Sequence, residues 1–160
     1  MKQIPLANGK GFALVDDEDY ERLSAFRWRR QSPRGRQHYA VRDVSRLDGG
    51  GIRSMHIEIM GQSAGMDVDH VDMNGLNNQK ANLRRATRSQ NMANSKVRTR
   101  NKTGLKGVAL SSRGGPNPFG AFIQVNRKSI YLGMFPTAEA AHAAYREGAR
   151  KYFGEFARAE

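Results

Sequence analysis

The sequence contains no cysteine, which closes both a disulfide framework and a thiolate zinc site to it. Its four histidines, His38, His56, His70 and His142, lie too far apart for a local zinc motif. No apolar run approaches the length of a membrane span, and the first residues lack the hydrophobic core of a signal peptide. The expectation is a soluble protein of the cytoplasm, with no membrane partner. Carboxylates are the scarce charge: 15 Asp and Glu stand against 27 Lys and Arg, for a net charge of +12. Residues 84–106 hold eight basic side chains and no acid, the electrostatic footprint of a polyanion binder. A membrane-surface reading would need an apolar face beside the charge, and residues 95–100 have none. A length of 160 residues allows one domain or two small ones.

What is present centres on residues 68–96. Asp69 and His70 end the apolar-polar alternation of Met66, Asp67 and Val68, which places them at the end of a strand. Asn74-Gly75 and Asn77-Asn78 are turn formers, and Leu83 to Ala86 reads as a return strand. Thr87 and Gln90 have the Thr-x-x-Gln spacing of a capping box, so a helix begins at Thr87 with Asn91 near its first turn. Strand, loop, strand and helix would gather Asp69, His70, Asn82 and Asn91 around one small volume. A carboxylate and an amide suit a hard cation such as Mg²⁺ that keeps most of its waters, and an imidazole can take a proton from water. With a surplus of arginine, that set points to hydrolysis of a phosphodiester. Singly, the Asp-His pair reads as a surface hydrogen bond and the asparagines as turn residues; the combination is what points to a site.

Asp69-His70, Asn82 twelve positions on and Asn91 nine further resemble the HNH endonuclease motif, and the text between them is similar to that of phage and homing-type members. The resemblance implies a ββα-metal fold. Asp69 and Asn91 would hold a divalent metal (Mg²⁺, Mn²⁺ or another), His70 would be the general base, and Asn82 would pin the loop that aims it. Asn94, one helical turn on, competes with Asn91 for the metal; spacing favours Asn91.

Ahead of this motif, residues 11–15 read as a strand. Asp16 to Asp19 lie where a helix start favours acids, with Tyr20 and Leu23 on its apolar face. Residues 26–30 and 38–44 read as a hairpin turning at residues 32–35, with Trp28, Tyr39 and Val41 on one face. Its tip residues Arg34 and Arg36, with Arg29, Arg30 and Arg42, are candidate phosphate contacts. Residues 54–61 read as a short helix ended by Gly61, with His56 structural. Residues 92–104 lose apolar periodicity and read as a basic linker along a DNA backbone.

Residues 105–110, 119–125 and 129–135 alternate as three strands, followed by an alanine-rich helix from Thr137 to about Phe153. Lys106-Gly107-Val108, the run from Tyr131 to Phe135, and Thr137 to Ala141 with Ala144-Tyr145 resemble the Apetala-type (ethylene-response-factor) DNA-binding domain. The resemblance implies that the sheet face away from the helix meets DNA, through Lys106, Gly107, Ala109, Ser111, Phe122, Gln124, Ser129 and Tyr131. Ala109, Ser111, Phe122 and Ser129 depart from the charged pattern of the plant members, which puts base-specific reading in question. Gln124 suits adenine, and Lys106, Arg127 and Lys128 suit phosphates.

The reading is an α+β chain: an N-terminal ββα-metal HNH nuclease domain over 1–95 (core motif 66–96), a basic linker over 96–104, and over 105–160 a three-stranded antiparallel sheet packed on one helix. The expected activity is metal-dependent cleavage of double-stranded DNA to 5′-phosphate and 3′-hydroxyl ends, by a monomer or homodimer, in the host cytoplasm if phage-encoded. Its DNA contacts would be Arg84, Arg85, Lys96, Arg98, Arg100, Lys102, Lys106, Gln124, Arg127, Lys128 and Tyr131. The alternative is a DNA-binding regulator or an RNA-binding protein with an inactive nuclease half.

Overall fold

A computed structural model describes residues 1–32, 37–95, 97 and 101–158, with the Asn8 side chain left aside. The expected hairpin tip with Arg34 and Arg36, and the expected DNA contacts Lys96, Arg98 and Arg100, lie outside the described residues. The chain is mixed α+β, with four small antiparallel sheets and four α-helices among the described residues. Contacts divide it into two compact units, Met1–Ala86 and Thr87–Glu160.

In the first unit, β1 (Lys2–Pro5) pairs with β2 (Phe12–Val15) and leads to α1 (Asp17–Ser24). The acids at the start of α1 complement its dipole, and Leu23 is fully buried beneath it. The strands β3 (Arg29–Gln31), β4 (Tyr39–Asp43) and β5 (Ile52–Ser54) form one sheet in that order. Then come α2 (Met55–Met60), ended by Gly61 at φ 71°, and the hairpin of β6 (Asp67–His70) and β7 (Leu83–Ala86). Ile4, Leu6, Ala13, Val15, Leu23, Trp28, Ala40 and Met55 make the core. The indole of Trp28 donates to the Leu23 carbonyl at 2.7 Å, which satisfies its one buried donor.

Here the expected shared face of Trp28, Tyr39 and Val41 is corrected. Ala40 and Val41 are both buried, so β4 is covered on both sides. Trp28 packs with Ala40, while alternation puts Tyr39 and Val41 on the opposite face, and Tyr39 meets His56 and His70 there.

In the second unit, α3 (Arg88–Asn94) starts at Thr87 with a complete capping box. The strands β8 (Val108–Leu110), β9 (Phe119–Val125) and β10 (Lys128–Phe135) form a meander, and α4 (Ala138–Phe153) covers one face of it. Ala121 and Ile123 point inward against Ala141 and its neighbours, where small side chains allow a close approach. Gly107, at φ 75°, lies so close to the Tyr145 ring that a Cβ would enter it. The break between units falls after Ala86 rather than after residue 95, because α3 packs on α4 and the 3-10 turn Gly154–Phe156.

Candidate active site

The loop between β6 and β7 is carried as an added edge on β2. Leu14 donates its amide to the Leu76 carbonyl and accepts from Asn78 N–H, both at 2.8 Å. The start of α1 fixes the far side: Asp16 accepts from the Lys80 amide at 2.8 Å and from the Gln79 side chain at 3.2 Å. Gly75 lies against the His38 carbonyl and the Tyr39 ring, leaving no room for a methyl group. Met73 holds a left-handed backbone at φ 58°, uncommon for a side chain of its size. A loop normally runs free over a surface; this one is tied to β2 and to the start of α1, with Gly75 and Asn78 buried.

Inside it, Asn82 and Asp72 form the brace. The Asn82 amide donates to Asp72 Oδ1 at 2.9 Å and to the Asn77 carbonyl at 2.8 Å, and its oxygen accepts from Asp72 N–H at 3.0 Å. Asp72 also receives the Asn74 amide at 2.7 Å and the Asn77 side chain at 2.9 Å. Burial pushes the Asp72 carboxyl up, but these donors and the nearby His70 outweigh it and hold its pKa below the usual value.

Asp69 and His70 are both buried at the end of β6. Asp69 stands opposite Arg84 in the ladder, and the guanidinium reaches Asp69 Oδ2 at 3.1 Å through Nε and through a terminal nitrogen. His70 Nε2 lies 3.4 Å from the side-chain oxygen of Asn78, itself fully buried. An amide oxygen there can only accept, so this contact favours the tautomer with its proton on Nε2. Burial lowers the His70 pKa, opposed by Asn78, Asp72 and Asp69, so the imidazole favours its neutral form.

Two further aromatic groups border it. His56 of α2 meets His70 edge to face, ring centres 5.0 Å apart, and Tyr39 lies 5.9 Å from His70. His56 is set in place by α2, which Arg42 of β4 holds through a bidentate bond to Glu58 at 2.8 and 2.9 Å. Burial, then the charge of His70, pushes the His56 pKa down to about 4. Its Nδ1 is buried without a hydrogen-bond partner among the described residues. Burial, then Asp69, pushes the Tyr39 hydroxyl up.

Of the expected site residues, the first unit brings Asp69, His70 and Asn82 to one hairpin and its loop. Asn91 is half-buried on α3 of the second unit, where Asn94 is buried at 6% exposure. Sequence reasoning misses the places of Asn78, His56 and Tyr39 beside His70; the doubled Asn77-Asn78 is the one available signal, and it also fits an ordinary turn. Several expected DNA contacts have work inside the chain. Arg84 pairs with Asp69, and Arg85 donates to the Met60 carbonyl at the end of α2. Lys106 donates to the carbonyls of Ala93 and Ser95, and burial, then Arg158, pushes its pKa down to about 8. Lys102, Gln124, Arg127, Lys128 and Tyr131 are exposed.

No protein-family model and no solved structure matches the chain. An uncharacterized HNH endonuclease of Acanthamoeba polyphaga mimivirus is 32% identical over 156 residues, spanning 95% of this chain and 76% of the viral protein. The chain belongs to the HNH endonuclease family. In this HNH chain, Asp69 and His70 end β6, and Asn82 lies just before β7. Among the described residues, no three His, Cys, Asp or Glu side chains gather as a ready-made metal cage. One carboxylate with amide oxygens is the donor chemistry of a hard cation that keeps most of its water. No helix among the described residues is long and apolar enough to cross a membrane.

Proposed function

We propose that this HNH protein is a metal-dependent endonuclease of double-stranded DNA with a ββα-metal centre, leaving 5′-phosphate and 3′-hydroxyl ends. The observation that carries the reading is the pairing of a buried carboxylate and a buried imidazole on adjacent residues of β6, beside a loop braced by Asn82. Asp69 and Asn91 would hold Mg²⁺ or Mn²⁺, which when bound neutralises charge on the scissile phosphate and the departing 3′ oxygen. His70 takes a proton from water at Nδ1, while Asn78 holds the opposite edge of the ring. The hydroxide attacks phosphorus opposite the 3′ oxygen, the P–O3′ bond breaks, and solvent protonates the leaving oxygen. Asn82 keeps the loop in register. Arg84, paired with Asp69 in the structure, would have to release that carboxylate to steady the phosphate.

The second unit is read as an Apetala-type DNA-binding module, with Lys102, Gln124, Arg127, Lys128 and Tyr131 on the nucleic acid. A plasmid-nicking assay with Mg²⁺, Mn²⁺ or EDTA tests the activity. Wild type should nick with either metal and not in EDTA, and His70→Ala should bind DNA normally without cutting it. Full cutting by His70→Ala removes that residue as the base.

A further inference from the structure

The face of the second sheet that α4 leaves open is aromatic. Phe122 and Tyr131 are direct cross-strand partners in β9 and β10, with ring centres 5.5 Å apart at 48°. They are 38% and 57% exposed, and Met134 beside them is 36% exposed. Gly120, between the two side chains, lies against Phe122 and the sulfur of Met134, so the cluster spreads flat over the strand instead of standing up from it. Gln124 and Ser129, also paired across the strands, supply the polar end. Apolar surface of this kind on one open face marks a binding site. Phe122 and Gln124 also line a cleft of about 960 Å³ toward α3, whose wall includes Met92 and whose rim includes Arg88, Lys106 and Arg127.

The charge around this face selects the partner. Within the second unit, residues 87–138 hold no carboxylate at all, and nine lysines and arginines. A protein or lipid tail would match the rings but not such one-sided charge; a nucleic acid matches both. Reading a duplex through a groove calls for donors and acceptors aimed at base edges, whereas the centre of this face is ring surface, with Gln124, Ser129 and the Tyr131 hydroxyl beside it. Flat exposed rings instead match the faces of bases, which a duplex hides within its stack and a single strand presents.

We infer that the open face of β9 and β10 is a stacking platform for the unpaired bases of single-stranded nucleic acid, with Phe122 and Tyr131 as its rings and the surrounding basic side chains on the backbone. This deepens the reading of the second unit as a nucleic-acid-binding module and rests on it, but not on the nuclease chemistry.

The test measures binding of the full chain, in EDTA, to a fluorescein-labelled mixed-sequence single strand and to the same strand annealed to its complement. Phe122→Ala and Tyr131→Ala should each weaken single-strand binding by about five-fold or more, and by clearly more than they weaken duplex binding. Phe122→Trp and Tyr131→Trp should retain it. Equal loss on both probes, or no loss on the single strand, overturns the inference. Photo-crosslinking of wild type to a bromouracil-bearing single strand gives a readout independent of any variant's folding. Crosslinked peptides from residues 119–135 support the platform, and crosslinks confined to other segments refute it. Failure to nick plasmid with retained aromatic-dependent binding would remove only the nuclease reading.

Discussion

Asn78 touches the imidazole proposed as the base without itself being proposed to react, so its removal separates orientation from proton transfer. Asn78→Ala should lower the cleavage rate by roughly ten- to hundred-fold, the usual cost of losing a partner that orients a functional imidazole. DNA affinity should not change, and single-turnover nicking alongside a binding titration checks both. His56 offers a second residue-scale prediction, about stability. Its folded pKa of about 4 lies below the 6.5 of the unfolded chain, so between those values the unfolded chain binds the extra proton. The burial of neutral His56 is therefore fully tolerated above pH 6.5, and stability is lost as pH falls toward 4. The full loss is on the order of 3 kcal/mol. Denaturant unfolding from pH 7 to pH 4 should show wild type losing about that much more than His56→Gln. Asp72, whose pKa is held down, adds a loss of its own only as pH falls below the ordinary carboxylate range, and His56→Gln retains that part.

At the scale of elements, the capping box at Thr87 is the feature most open to measurement. Thr87→Ala removes the hydroxyl that accepts from the Gln90 amide, and should cost about 1 kcal/mol in denaturant unfolding. That helix start is legible in the sequence, as are β7 and β9 to the residue and Gly61 at the end of α2, because caps, turns and alternation are local. β1 and β5 are not. Lys2–Pro5 carries a proline and little alternation, and Ile52–Ser54 is only three residues long; each is a strand because a neighbour pairs with it. The same holds at the site. Asp69, His70 and Asn82 can be read from their spacing, whereas Tyr39 and His56 reach His70 through packing across the sheet and α2. The separation of Trp28 from Tyr39 and Val41 is equally hidden, because Ala40 and Val41, adjacent and both apolar, are buried on opposite faces of β4.

Across the whole molecule, charge governs how the protein meets its substrate. A net charge of +12, with every carboxylate outside the span between Asp72 and Glu139, makes association with DNA largely a matter of displacing counterions. Duplex affinity should fall by roughly hundred-fold or more between ~50 and ~200 mM salt, with a linear log–log dependence. A fluorescence titration over that range checks it, and a flat response would show that contacts other than phosphates hold the duplex. The two compact units make this charge a shared property of separately folded parts: β7 ends the first with Arg84 and Arg85 committed to internal partners, and the second begins at the cap of α3.

Gly75 has a consequence for how such a chain can diverge. Its α-carbon rests on the His38 carbonyl and the Tyr39 ring, so even one added carbon would lever the Asn-rich segment off its support and carry Asn78 away from His70. At this position the only admissible letter is the smallest one.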